Sequence, residues 1–171
     1  MTFIEPISRQ EAQERGLGPA LDTFAAMGDA EGTFPRILAH APNYAEALWG
    51  AMSEALYEGG VDHRLKELIR IQLATTAGDP YFAALRSAEA DITEDHIESA
   101  LGAFEDDAGY SEAEKWALRY AYLMYREPEK LDAAFYEEGK QHFSEAQIME
   151  IGGLTAIHYG MQVFMRTLQP R

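Results

Sequence analysis

The side chains best equipped for chemistry fall at four places along this chain. Glu67 lies four residues after His63 and three before Arg70, so on a helix the three share one side. A carboxyl placed there can act as a general acid or base if a pocket desolvates it, and it equally suits a helix-surface ion pair with Arg70. His63 and Glu67 also offer two metal ligands, but no third is apparent and no metal is expected. Asp79 precedes Pro80, where it reads either as an acid or base projecting into a pocket or as a turn residue; Tyr81 just after it can line that pocket or donate a hydrogen bond. Arg86 sits among Ala83, Ala84, Leu85, Ala88 and Ala90, small apolar company for the side chain best suited to grip a carboxylate with two parallel hydrogen bonds. Its plainer reading is a surface ion pair, with Glu89 or an acid of the neighbouring helix. His158, followed by Tyr159, is a lone imidazole in an apolar stripe. It is a satisfied core residue, or else the polar group that a ligand pocket between helices requires.

Other chemistries are excluded by what the chain lacks. Its 171 residues include no Cys, which removes disulfides, thiolate metal sites and every cysteine nucleophile or dithiol couple. Fourteen Lys and Arg against 29 Asp and Glu give a formal charge of −15. That surface repels nucleic acid and anionic lipid, because phosphate binding needs clustered cations, and the longest basic cluster, Arg64, Lys66 and Arg70, is interrupted by Glu67. No phosphate-binding glycine loop and no Gly-x-Ser-x-Gly element occurs. The N-terminal residues resemble no signal peptide, and no apolar run reaches the ~20 residues of a membrane span, so a cytoplasmic location is expected.

Helices must position these residues. Apolar spacing and Gly–Pro punctuation predict helices over 19–27, 34–40, 42–57, 62–77 and 81–90. A Thr93-capped helix carrying Ile97 and Leu101 follows, then one opened by a Ser111–Glu114 capping box, one from 128 to 143, and one opened by a Ser144–Gln147 box and running to 168. Residues 1–18 read as an irregular polar arm. No convincing strand pattern occurs, so the fold class is all-α. The last helix is apolar over a wide arc, with Ile148, Ile157, Val163, Phe164 and Leu168 lying off its main stripe. Such a helix is central in its bundle or buried against another copy, which points to a homo-oligomer.

The stretch from Phe34 to Pro42 (FPRILAHAP), the stretch from Val61 to Ile69 (VDHRLKELI) and the later FSEAQIMEI from Phe143 to Ile151 resemble, in order and spacing, the carboxymuconolactone decarboxylase and alkylhydroperoxidase D-like family. The resemblance covers roughly 34–168 and divides the chain into an arm with a short helix (1–33) and a family-like domain (34–171). It implies a single-domain, all-helical bundle assembled as trimers, hexamers or dimers. In peroxidase-like members a Cys-x-x-Cys pair, a His and an upstream Glu form the redox centre. Counting from Glu67, the cysteine positions fall on Asp79 and Phe82 and the His on Arg86; counting back from Thr93, the pair moves to Thr76 and Asp79. Neither register supplies a thiol. The decarboxylase branch also lacks the cysteines, so the resemblance implies a cofactor-free lyase or isomerase acting on a small anionic organic acid or lactone. Glu67, Asp79 and His158 would be catalytic, and Arg86, Tyr81 and Tyr159 would bind substrate. The alternative is a non-catalytic, oligomeric binding or scaffold member of the same family.

Overall fold

The chain is seen in a computed structural model that describes residues 2–169. Its centre is a helix in which ten consecutive residues, Leu65 through Ala74, are buried, so no face is left for water. This helix, α5 (His63–Ala77), starts where the Asp62 carboxylate accepts the Arg64 N–H and stops at Gly78, whose φ of +66° suits glycine. The others are α1 (Arg9–Ala12), α2 (Gly18–Ala26), α3 (Thr33–Leu38), α4 (Pro42–Tyr57), α6 (Pro80–Ala84), α7 (Glu94–Gly102), α8 (Glu112–Arg126), α9 (Ala133–Gly139) and α10 (Glu145–Thr167). Helices α4, α6, α7, α8 and α10 all pack on α5, α10 most extensively. No strand occurs among the described residues, and no helix among them is long and apolar enough to cross a membrane.

Two apolar clusters share α5 and α10. One joins Leu68, Leu73, Trp116, Tyr120, Ile151 and Leu154; the other joins Leu17, Leu21, Phe24, Phe34, Met52, Phe82 and Met165. Each such side chain taken wholly from water contributes about 1.5–3 kcal/mol. Phe24, Met52 and Phe82 of the second cluster also line the inner cavity described below.

The capping boxes at Thr93, Ser111 and Ser144 start α7, α8 and α10. Three expectations needed correction. Residues 9–17 are mostly helical rather than irregular, a π segment over Gln13–Leu17 following α1 and kinking at Gly16, with Ala12 and Leu17 fully buried; Arg15 Nη1 donates to the Ala39 carbonyl and ties this stretch to the bundle. The helix expected over 81–90 ends at Ala84, and residues 85–87 are extended before a 3₁₀ turn at Ala88–Ala90. The helix expected over 128–143 is a 3₁₀ turn, Pro128–Lys130, then α9 with Asp132 as its cap. In the last two cases side chains that hydrogen-bond backbone groups start or stop helices where apolar spacing alone runs on; in the first, the Ser8 side chain accepts from the Glu11 N–H and starts a helix that polar spacing hides.

Candidate functional site

One turn apart on α5, Glu67 and Arg70 form an ion pair with essentially no solvent contact. Glu67 accepts from Arg70 Nε at 2.6 Å and Nη2 at 2.8 Å, and from the Ser87 N–H at 2.8 Å. Arg70 also donates to the carbonyls of Phe82 and Leu85, which closes α6 at its C-terminal end, where helix carbonyls lack partners. Burial alone would raise the Glu67 pKa, but the guanidinium, its hydrogen bonds and the Ser87 N–H outweigh it and hold the carboxyl below its ordinary range. Glu67 is therefore a fixed carboxylate at neutral pH.

One turn earlier, His63 reaches back to α4 and across to the loop after α6. Its Nδ1 lies 3.1 Å from the Leu56 carbonyl and its Nε2 2.9 Å from Ser87 Oγ. A carbonyl only accepts, so in the neutral ring Nδ1 carries the hydrogen and Nε2 accepts from the Ser87 hydroxyl. Tyr57 stacks on the imidazole with centroids 5.0 Å apart, and its hydroxyl donates to Met27 Sδ at 3.6 Å. Burial, and then the Glu67 charge, raise the phenol's pKa, with the nearby Ser87 hydroxyl opposing.

Two hollows meet at this point. An inner cavity, walled mainly by Phe24, Trp49, Met52 and Phe82, also has Arg70 and His158 on its lining, with Thr23, Ser53 and Tyr57. It offers ≈ 20 Å³ to the centre of a water-sized sphere, room for about one water. An outer bowl of ≈ 270 Å³ is lined by Ser87, Ala88, Glu89 and Ala26. Thr23, Met27 and Tyr57 line both, so the Met27–Tyr57 contact stands between them.

His158, 3 % exposed, projects from α10 with Nε2 3.2 Å from the Met52 carbonyl and Nδ1 without a partner. By the same tautomer argument Nδ1 is a bare acceptor. Burial, with the Arg70 charge adding to it, lowers the pKa of His158 to about 4, leaving it neutral at pH 7.

Of the six residues singled out in the sequence, Glu67 and His158 lie at this site and four lie elsewhere. Asp79 caps α6 through the Tyr81 N–H and accepts from Gln169 Nε2. It lines a separate groove with Arg166 and Gln169, and burial raises its pKa. Tyr81 donates to Asp29 Oδ2 at 2.7 Å and accepts from the Phe34 N–H, so it braces α6 against the start of α3. Because α6 has only five residues, Arg86 falls beyond its end and outside the cavity. Its guanidinium binds the Ala83 and Leu85 carbonyls and pairs with Glu94 near the surface. Tyr159 stacks on Tyr125 at 3.8 Å. The expectation that all six converge on one pocket is corrected accordingly. Arg70, known from the sequence only as an ion-pair partner of Glu67, is the guanidinium at the cavity, and Ser87 and Tyr57 carry no sequence signal that points to them. Among the described residues no three His, Asp or Glu side chains gather as metal ligands.

Three solved structures share this architecture. An alanine variant of the debrominase Bmp8, in complex with 2,3,4-tribromopyrrole, superposes with a TM-score of 0.78 at 22% identity over 95% of this chain and 87% of that one. An alkylhydroperoxidase AhpD core protein, an uncharacterized peroxidase-related protein from Ralstonia eutropha JMP134, gives 0.69 at 16% identity over 90% and 85%. A protein of unknown function from Agrobacterium tumefaciens, a putative antioxidant defence protein AhpD, gives 0.62 at 18% over 77% and 94%. No family model matches the chain and no curated protein matches it. Identities this low speak to fold, and the fold is AhpD-like.

Proposed function

We propose that this chain is a cofactor-free, thiol-independent enzyme that moves protons on a small ring compound, as a lyase or isomerase. The observation that carries the reading is the neutral, buried His158, whose Nδ1 has no partner and whose side chain lines a mostly apolar cavity. A buried acceptor left unpaired costs about 1–3 kcal/mol, which a ligand N–H or O–H would recover. The positive charge of Arg70 is matched by Glu67, and Arg86 stands apart, so a carboxylate in the cavity would find no uncompensated cation. This favours a neutral lactone, phenol or pyrrole-like ring over a small anion, and proton-transfer isomerisation over decarboxylation. The Bmp8 complex with 2,3,4-tribromopyrrole, a flat apolar ring with one N–H, supports the same ligand class. Met27 and Met52 on the lining are the adaptable side chains that can move to admit a ring.

A non-catalytic binding member of the fold is the second reading. It is favoured by Phe82, which occupies one register position of the absent cysteines and packs on Phe24, Phe34 and Tyr81. Self-association belongs to both readings: Phe3 and Val163 share one groove and are exposed, as are neighbouring Ile4 and Phe164.

Calorimetric titration with small lactones, halogenated phenols and pyrroles, alongside dicarboxylates, tests the proposal. Neutral rings should bind, and His158→Leu should weaken them about tenfold or more, the worth of one buried hydrogen bond. Deuterium uptake from heavy water into a bound ring, followed by NMR, separates an enzyme from a binder. Binding of dicarboxylates in preference to neutral rings would overturn the reading.

A further inference from the structure

We propose that Ser87 and His63 form a nucleophile–base pair at the floor of the outer bowl, with Tyr57 as donor to the developing oxyanion, and that the bowl takes a neutral, activated carboxylic ester. This goes beyond the ring-binding reading and does not depend on it.

Four observations carry it. Ser87 Oγ and His63 Nε2 are 2.9 Å apart, the reach needed for a hydroxyl to be activated by an adjacent base. The imidazole is oriented by a third group, the Leu56 carbonyl on Nδ1, which leaves Nε2 free to take the hydroxyl proton, as the logic of catalytic triads requires. The buried Glu67 carboxylate, one turn along α5, accepts from the Ser87 N–H and so fixes the backbone that carries the hydroxyl. Tyr57 lines the same bowl, stays protonated because burial and Glu67 raise its pKa, and spends its O–H on a thioether, a weak acceptor that a carbonyl oxygen would displace. The bowl's ≈ 270 Å³ suits a small acyl group, and Glu89 on its rim disfavours an anionic one.

The step balances without any oxidant or cofactor. Ser87 Oγ bonds to the ester carbonyl carbon while its proton passes to His63 Nε2. The bond from that carbon to the leaving oxygen then breaks, and the leaving alcohol takes the proton from His63. Water adds to the acyl carbon, giving its proton to His63; Ser87 Oγ departs with that proton and the carboxylic acid is released.

The test is to treat the full chain with a fluorophosphonate probe and with p-nitrophenyl acetate, reading adducts by peptide mass mapping and turnover by p-nitrophenol release. Expected are one adduct, on Ser87, and hydrolysis that falls about 100-fold in Ser87→Ala and His63→Gln, with a smaller loss in Tyr57→Phe. Ser87→Ala removes one oxygen and keeps the backbone N–H to Glu67, so folding, checked by circular dichroism, should survive. As a second variant, Ser87→Cys should be alkylated by iodoacetamide faster than the same variant carrying His63→Gln. No adduct, an adduct on another side chain, or hydrolysis unchanged in Ser87→Ala overturns the proposal. Labelling is read whether or not a ring enters the inner cavity, so either reading can fail alone.

Discussion

His158 illustrates how burial turns a titratable side chain into a neutral one. Its folded pKa of about 4 lies below the ordinary 6.5, so between those values the unfolded chain binds a proton that the folded chain refuses. Stability from this residue is therefore fully present above pH 6.5 and is lost as pH falls toward 4, by on the order of 3 kcal/mol. Urea unfolding at stepped pH should show that loss, and His158→Leu should flatten the curve between pH 6.5 and 5. Glu67 acts at the acid end of that window and below it. Its depressed pKa gives stability that is present above 4.5 and lost only in stronger acid. The Glu67–Arg70 pair itself sets geometry more than it adds stability, since the desolvation of both ions offsets much of their attraction.

At the scale of elements, close approach decides which substitutions a helix tolerates. Gly139 ends α9 against the face of Trp116, where a Cβ would lie 2.2 Å from the indole. The indole N–H donates to the Phe135 carbonyl at 3.0 Å and the ring stacks on Phe135, so it has nowhere to go. Gly139→Ala should cost about 1–3 kcal/mol and, in a Trp49→Phe background, shift Trp116 fluorescence to the red. Gly153, inside α10 with nothing within 4 Å of its would-be Cβ, gives the opposite sign: alanine there should stabilise by about 0.5–1 kcal/mol.

For the whole molecule, the opposing forces are a formal charge of −15 and an apolar patch at Phe3, Ile4, Val163 and Phe164. Charge repulsion between copies is screened by salt while apolar burial is not. Sedimentation should show self-association that strengthens with added salt, and Val163→Glu should return the chain to monomer. A monomer at all salt concentrations would leave the patch without this explanation.

The helices with strong local signals are legible in the order of the residues alone. Capping boxes at Ser111 and Ser144, Asp62 before α5 and the Gly78 stop are local devices, written in residues only a few positions apart. Likewise, the absence of thiols and the acid excess follow from counting. The burial of Lys66, Glu67, Arg70 and Gln72 is not legible in that way, because their polar spacing on α5 reads as a solvent face unless helices cover every side. The bowl is hidden for the same reason. Ser87 and His63 are 24 residues apart, and they meet because α6 is five residues long and Arg70, from another helix, takes the carbonyls at its end. Local propensity determines where most helices start; where α6 stops, and which polar groups lose water and so become chemically distinctive, depends on contacts between distant segments that only the packed chain creates.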